Sequence, residues 1–382
     1  MVPCLSRLAS LTLPHPLHRI LAVIAGLGLL TGCAGVGALP AGATPASTWL
    51  SPPAATVALP VPTVSPTPSL AGVQVWFTDP LSGRQTGGPE QALLQAVAAA
   101  RETIDMAIYN FTFDGLGDAL IQASQRGVRV RLVMESEAMD KALPRRLQAA
   151  GIPVVGDQRE GLMHNKFTVI DGQDVWTGSL NYTTASAYQD FNNLVRIHST
   201  QAAQDYQAEF DQMFVNHRFG PDKQPVAPYP QINAGGVPVA IYFSPADGPA
   251  AHVLAELEQA RQSIDFLAYS FTSDAISRAI SERAKAGVAV RGVFDASQAT
   301  TNTGGEYPRL KRAGLDVRRS AITGLMHDKV MIIDGQVVIT GSYNFTASAE
   351  NTNDENLVIL RDAAIAGQYL RHFEEVYAHS KK

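Results

Sequence analysis

The sequence predicts an α/β protein made of two duplicated α-β-α sandwich domains, each around a mixed, largely parallel sheet. Three observations carry that expectation. First, a 20-residue stretch occurs twice, as HNKFTVIDGQDVWTGSLNYT (His164 to Thr183) and HDKVMIIDGQVVITGSYNFT (His327 to Thr346), identical at 12 of 20 positions without a gap. The copies lie 163 residues apart, too far for a solenoid repeat and right for a duplicated domain. Second, apolar β-branched runs alternate with Ala- and Leu-rich helical stretches, the order of parallel β-α-β units. Third, a Pro- and Gly-rich break separates the halves.

The elements follow in order. VQVWFT (Val73 to Thr78) reads as a first strand, Pro89 to Arg101 as a helix, TIDMAIYNF (Thr103 to Phe111) as a strand, Asp114 to Arg126 as a helix and Gly127 to Glu135 as a strand. Lys141 to Ala150 is a further helix, followed by a short strand at Pro153 and then the repeated motif. Within the motif, KFTVI and KVMII are each followed by Asp-Gly and a second β-rich run. That is a tight-hairpin signal, because both central residues tolerate positive φ. NNLVRI (Asn192 to Ile197) adds a strand and Ala202 to Phe214 a closing helix. Residues 219–238 read as the linker between a first domain, 73–218, and a second, 239–382. There the pattern restarts: ARQSIDFLAYSFT (Ala260 to Thr272) matches ARETIDMAIYNFT (Ala100 to Thr112) at an offset of 160, so the second half carries three extra residues between Ala296 and Gly314. That polar, glycine-containing segment is expected to be a lid or a variable surface loop.

The N-terminal segment reads as an export signal. Arg7 and Arg19 precede an apolar run from Ile20 to Leu30, too short to span a bilayer. It ends in Leu30-Thr31-Gly32-Cys33, which resembles the bacterial lipoprotein lipobox. On this reading residues 1–32 are cleaved, Cys33 carries lipid, and residues 33–72, rich in Pro, Ala, Thr and Ser, form a tether. The expected location is the bacterial cell envelope, lipid-anchored and facing away from the cytoplasm. The only cysteines are Cys4 and Cys33, so the mature chain has no internal disulfide. The formal net charge is −5, which gives no global attraction for polyanions; any such attraction must be local.

Side chains alternate along a strand, so His164 and Lys166 share a face, as do His327 and Lys329. An imidazole beside a cation suits a phosphate. The returning strands end in Gly-Ser-x-Asn, adding Ser179, Asn181, Ser342 and Asn344 near the same end. The pattern H-x-K-x4-D followed by G-S-x-N resembles the phospholipase D superfamily, in two complete copies: His164, Lys166, Asp171 and His327, Lys329, Asp334. The second copy, with its tail through Glu355 and Asn356, looks most like the small bacterial nuclease branch. The resemblance implies metal-independent phosphodiester hydrolysis at an interface between the motifs, with no cofactor. It also implies a phosphohistidine on one histidine, and acid and base duty for the other. Lys166 and Lys329 take the role of metal cations, with Asn181 and Asn344 as further donors and Ser179 and Ser342 in support. Two internal motifs supply one site, so a monomer suffices.

One carboxylate breaks the symmetry. Glu355 lies 28 residues after His327, whereas the matching position after His164 is Asn192. Glu355 has two candidate partners, His164 across a closed interface or His327 of its own half, and a weak physical argument favours His164; Asp190 is a nearby substitute for the histidine left without a carboxylate. Tyr182, Tyr343 and Phe345 are groove candidates, although aromatics at strand edges more often belong to the core. Three functions fit: a phospholipase D acting on phospholipid head groups, a nuclease acting on DNA or RNA, and a catalytically silent binding module. The intact motifs in both halves weigh against the last.

Overall fold

The computed structural model describes residues 72–382, so the signal segment, Cys33 and nearly all of the tether lie outside the described residues. The first half runs β1 (Val73–Phe77), α1 (Pro89–Ala99), β2 (Thr103–Ile108), α2 (Asp114–Gln125), β3 (Arg129–Met134), α3 (Ala142–Ala149), β4 (Val154–Gly156), β5 (Lys166–Ile170), β6 (Asp174–Gly178), α4 (Thr184–Tyr188), β7 (Asn193–His198) and α5 (Thr200–Phe214). The second runs β8 (Gln231–Ala234), β9 (Val237–Ser244), α6 (Pro249–Gln259), β10 (Ser263–Ala268), α7 (Asp274–Lys285), β11 (Ala289–Phe294), α8 (Gln298–Thr301), α9 (Tyr307–Arg312), β12 (Asp316–Ser320), β13 (Lys329–Ile333), β14 (Val337–Gly341), α10 (Ala347–Asn351), β15 (Glu355–Arg361), α11 (Ala363–Ala378) and β16 (Ser380–Lys381).

Each half forms one mixed sheet, ordered β1-β7-β6-β5-β2-β3-β4 and β16-β12-β11-β10-β13-β14-β15-β9-β8. Parallel neighbours are β2–β3–β4 and β10–β11–β12, the β-α-β part of each half. In the first sheet β1, β2, β3, β4 and β6 run one way and β5 and β7 the other. The duplicated sandwich architecture is thus present, with the antiparallel ladders gathered around the motif hairpins.

Three apolar cores explain the layering. Leu93, Val97, Leu116, Leu120, Leu143 and Leu147 of α1–α3 close the outer face of the first sheet. Val253, Leu257, Ile276, Ile280 and Leu310 do the same for the second. The third core is shared: Tyr206, Phe210 and Met213 of α5 and Ile365, Tyr369 and Phe373 of α11 pack between the sheets with Phe167, Val195, Phe243 and Val330. The inner helices therefore belong to both halves.

The segment from 219 to 238 is built into the body. It supplies β8 and the start of β9, and its Lys223 is buried against carboxylates of both halves, Glu209 and Asp354. The extra residues of the second half lie around α8, whose Gln298 accepts a hydrogen bond from Ser270 Oγ at 2.7 Å.

Candidate active site

Both Asp-Gly turns form as expected, with φ of 51° and 62° at Asp171 and Gly172 and 53° and 61° at Asp334 and Gly335. Each turn lies at the far end of its motif strand. Asp171 ends the strand that Lys166 begins, about 16 Å away at 3.3 Å per residue. Its carboxylate accepts the backbone N–H groups of Arg101, Glu102 and Thr103, and Asp334 accepts those of Arg261, Gln262 and Ser263. This corrects the catalytic assignment of the two aspartates. They tie the hairpin to the loop entering β2 or β10, and a carboxylate at that turn satisfies donors that would otherwise lack partners.

The histidine ends of the hairpins meet at the interface between the halves. His164 N–H donates to Asp354 C=O at 3.0 Å, and Asp354 N–H to Leu162 C=O at 2.8 Å. The pseudo-equivalent pair is His327 N–H to Phe191 C=O at 2.9 Å and Phe191 N–H to Leu325 C=O at 2.8 Å. Beneath them the halves interlock through amides. Asn356 Oδ1 accepts from Thr177 and Tyr206 of the first half, and Asn193 Oδ1 from Thr340 and Tyr369 of the second.

Each imidazole is therefore held by the opposite half. His164 Nδ1 lies 2.7 Å from Glu355 Oε2, as the sequence led us to expect. His327 Nδ1 lies 2.8 Å from Asn192 Oδ1, so Asn192, and not Asp190, is its partner. Asp190 instead accepts Leu325 N–H at 2.8 Å, its carboxylate spent on the main chain before the motif. Asn192 Nδ2 donates to Ser186 C=O, which fixes the amide so that Oδ1 faces the ring. Asn192 Oδ1 can only accept, so His327 Nδ1 carries a proton; His164 Nδ1 shares one with Glu355, and neither partner engages an Nε2.

His164 and His327 are 6% and 5% exposed, Lys166 and Lys329 1%, and Glu355 0%. Each ammonium donates to the carbonyl of its own motif histidine at 2.7 Å. The cluster is short of negative charge. Burial, then Lys166 and Lys329, push the His164 imidazole well below its ordinary value. Burial, then Lys329, Lys166 and His164, do the same to His327. Burial pushes Lys166 well down and Lys329 down to about 7, while Glu355 is pushed up to about 8 by burial against the pull of Lys166. An anion at this place would supply the missing negative charge and favour the protonated lysines. Among the described residues no three His, Cys, Asp or Glu side chains are grouped to hold a metal ion.

Ser179 Oγ donates to Asn192 Oδ1 at 2.9 Å and so supports the partner of His327, while Ser342 Oγ accepts Asn356 N–H at 3.0 Å, one residue past Glu355. Asn181 and Asn344, two residues on, have amide oxygens buried without a partner. Tyr182, Tyr343 and Phe345 are core residues and not groove residues: the first two hydroxyls bond Thr168 and Glu350, and the phenyl ring is fully buried. The aromatics at the site are Tyr109 and Tyr269. Their ring centroids lie 4.8 and 4.6 Å from those of His164 and His327, with the lysine ammonium groups 5.1 and 4.6 Å away. Both end the repeated ID-strands at the 160-residue offset, the signal by which the repeat marks them. Glu135 and Asp295, also 160 apart, accept the N–H of Met163 and Met326, each at 3.0 Å, and set the entry to the motifs.

Comparison with known proteins places this geometry. A family model described as "Cardiolipin synthase, PLD-like domain" matches residues 93–214 and 253–377, one match in each half. A phospholipase D of Rickettsia bellii is 34% identical over 135 residues, 35% of this chain and 67% of that protein. A mitochondrial cardiolipin hydrolase of Mus musculus is 32% identical over 142 residues, 37% of this chain and 63% of that protein. The crystal structure of phosphatidylserine synthase from Haemophilus influenzae aligns over 80% of this chain and 87% of its own, with a TM-score of 0.59 and 13% identity, a likeness of fold.

Proposed function

Since the chain belongs to the phospholipase D-like family of phosphodiesterases, we propose that it hydrolyses phospholipid phosphodiester bonds, with His164 as nucleophile and His327 as general acid and base. The observation that carries this reading is the unequal backing of the two imidazoles: Glu355 behind His164 and the neutral amide of Asn192 behind His327. Nε2 of His164 attacks phosphorus while Nε2–H of protonated His327 gives its proton to the leaving head-group or glycerol oxygen. The P–O bond breaks and a phosphohistidine remains. His327 then takes a proton from water, the hydroxide oxygen bonds to phosphorus, and the P–N bond breaks to free His164. Glu355 stabilises the cationic ring of the intermediate. Lys166 and Lys329, with Asn181 and Asn344, face the non-bridging oxygens. Residues 73–218 and 239–382 are assigned as the two phospholipase D-like domains, joined through 219–238.

The lipid substrate is favoured by the relatives named for phospholipid cleavage and by the proposed anchor at Cys33. The test is a panel of phosphatidylcholine, cardiolipin, plasmid and single-stranded DNA, assayed in EDTA. Lipid cleavage that survives the chelator supports the reading. Cleavage of DNA alone transfers the same chemistry to a nuclease, and loss of all activity with rescue by a divalent ion removes the role given to the lysines. The anchor is tested separately: Cys33→Ala should block processing or release the protein from the detergent phase. Unchanged partitioning removes the anchor.

A further inference from the structure

Directly behind the Glu355–His164 pair lies a buried charge cluster that the chemistry above does not use. The side chain of Asp354, fully buried, has every acceptor engaged: Oδ1 takes Gly220 N–H at 2.7 Å and Lys223 Nζ at 3.0 Å, and Oδ2 takes Arg159 Nη2 at 2.8 Å. Lys223, fully buried as well, also pairs with Glu209 of α5. The main chain of Asp354 holds Leu162 and His164, and its neighbour Asn353 accepts Leu162 N–H at 3.2 Å. Room for the guanidinium is built in. A Cβ at Gly161 would stand 2.0 Å from Arg159 Nη1, and one at Gly220 2.5 Å from it.

The His327 side shows that the fold does not require this cluster. At the 163-residue offset Phe191 replaces Asp354, Ile322 replaces Arg159 and His372 replaces Glu209: apolar residues stand where Asp354 and Arg159 do, and the buried pair on that side is His372 Nε2 with Asp328 Oδ2 at 2.8 Å. Buried ion pairs seldom stabilise more than apolar residues of the same volume, but they can fix one arrangement. We propose that Lys223, Arg159 and Asp354 are positioning residues for the nucleophile: they pin the strand start carrying Glu355 and the loop carrying His164 in one register. The segment joining the halves, through Gly220 and Lys223, is then part of the nucleophile's half-site.

The inference rests on His164 being the phosphorylated residue, and the experiment separates the two. In a His327→Asn background, where phosphoenzyme accumulates, the amplitude and rate constant of labelling by a nitrophenyl phosphodiester are measured. No label in that background overturns the nucleophile assignment itself. Given label, Lys223→Met should lower the rate constant by about ten- to a hundredfold, the cost of a small misplacement, with the labelled fraction retained. Lys223→Arg should recover most of it. Should Lys223→Met not fold, Lys223→Met with Glu209→Gln removes that buried pair, leaves Asp354 bonded to Arg159 and to Gly220 N–H, and carries the same expectation. A reduced amplitude with an unchanged rate constant in every folded variant overturns the proposal, since a purely structural role changes how many sites form and not how fast each reacts.

Discussion

The two half-sites share a plan and differ in what stands behind each imidazole. Each presents a histidine, a lysine bonded to that histidine's carbonyl, a tyrosine against the ring and an acid on the preceding main chain. Behind His164 stands a carboxylate with the Asp354–Arg159–Lys223 cluster beyond it; behind His327 stands an amide, with Phe191 and Ile322 at the matching places and one buried pair, His372 with Asp328. Duplication explains the shared positions. The difference assigns the work, because a nucleophile that becomes cationic profits from a fixed counter-charge. A residue that must both give and take a proton does better without one. Asn192 keeps the His327 ring oriented without holding its proton.

The largest effect should come from removing one histidine at a time. His164→Asn should lower turnover of any substrate by on the order of 10⁴-fold or more and leave no label. On a nitrophenyl ester, whose leaving group needs no acid, His327→Asn should retain a burst and accumulate phosphate on His164. Label on His327 in the His164→Asn protein would exchange the roles, and label on neither would end the covalent mechanism.

The comparison sharpens when the two backing residues are altered. Glu355→Gln should slow phosphorylation by about a hundredfold. Asn192→Asp should leave phosphorylation by nitrophenyl esters nearly intact and alter that of alkyl esters, because a carboxylate favours the protonated His327 ring that the leaving alkoxide needs. The alkaline limb of alkyl-ester phosphorylation, set by loss of the His327 proton, should also move to higher pH. Equal effects of the two substitutions on both ester types would mean that the asymmetry of the half-sites carries no division of labour.

Lysine charge gives a pH test of the empty site against the filled one. Lys329 must be protonated to meet phosphate and sits at about 7 in the free protein, mainly through burial. As pH rises through that value the charge is lost, so kcat/KM should fall on the alkaline side of about 7. A bound phosphodiester favours the ammonium, so the limb in kcat should lie higher. In Lys329→Arg the contribution of Lys329 to the alkaline limb should be lost, because a guanidinium does not deprotonate, so the limb should change shape toward that of Lys166 and the acid His327 alone, with kcat reduced by the altered geometry. An unchanged limb in that variant would mean that Lys329 does not contribute to it.

Much of this was legible because the chain repeats itself. The motif, the Asp-Gly hairpins, the β-α-β order and the Glu355–Asn192 mismatch are all local or differ by a constant offset. Tyr109, Tyr269, Glu135 and Asp295 were equally marked by the 160-residue offset, but they sit outside the motif and carry no spacing of their own. What stayed hidden is what the interface creates. Nothing in the residues around Lys223 says that a Pro-rich segment will bury an ammonium between Glu209 and Asp354. Nor does Asn192 announce that its amide will take the place of a carboxylate. Tyr182 and Tyr343 follow the ordinary preference of strand-edge aromatics for the core. Asp171 and Asp334 were obscured by their own motif, since an Asp at a tight turn satisfies both a structural and a chemical reading.

That last ambiguity gives the smallest prediction and the one most specific to the motif. Asp334 accepts three backbone N–H groups 2.7–2.8 Å away, and although burial alone would raise its carboxyl, those donors hold it below the usual carboxylate range. A folded value below the unfolded one means a contribution to stability that is complete above the unfolded value of about 3.9 and lost as pH falls through the folded one. Asp334→Ala should therefore lower Tm by a few degrees at neutral pH, on the order of 1–2 kcal/mol, with the deficit against the parent vanishing in acid. Per folded molecule, the burst rate on a nitrophenyl ester should be unchanged, because the carboxylate lies a strand's length from Lys329. Asp171→Ala should likewise lower Tm at neutral pH and leave the burst rate unchanged, since that aspartate accepts the matching trio of N–H groups in the first half. A burst rate reduced tenfold in either variant, with Tm preserved, would return that aspartate to the chemistry and break the separation between the turn end and the histidine end of the hairpin.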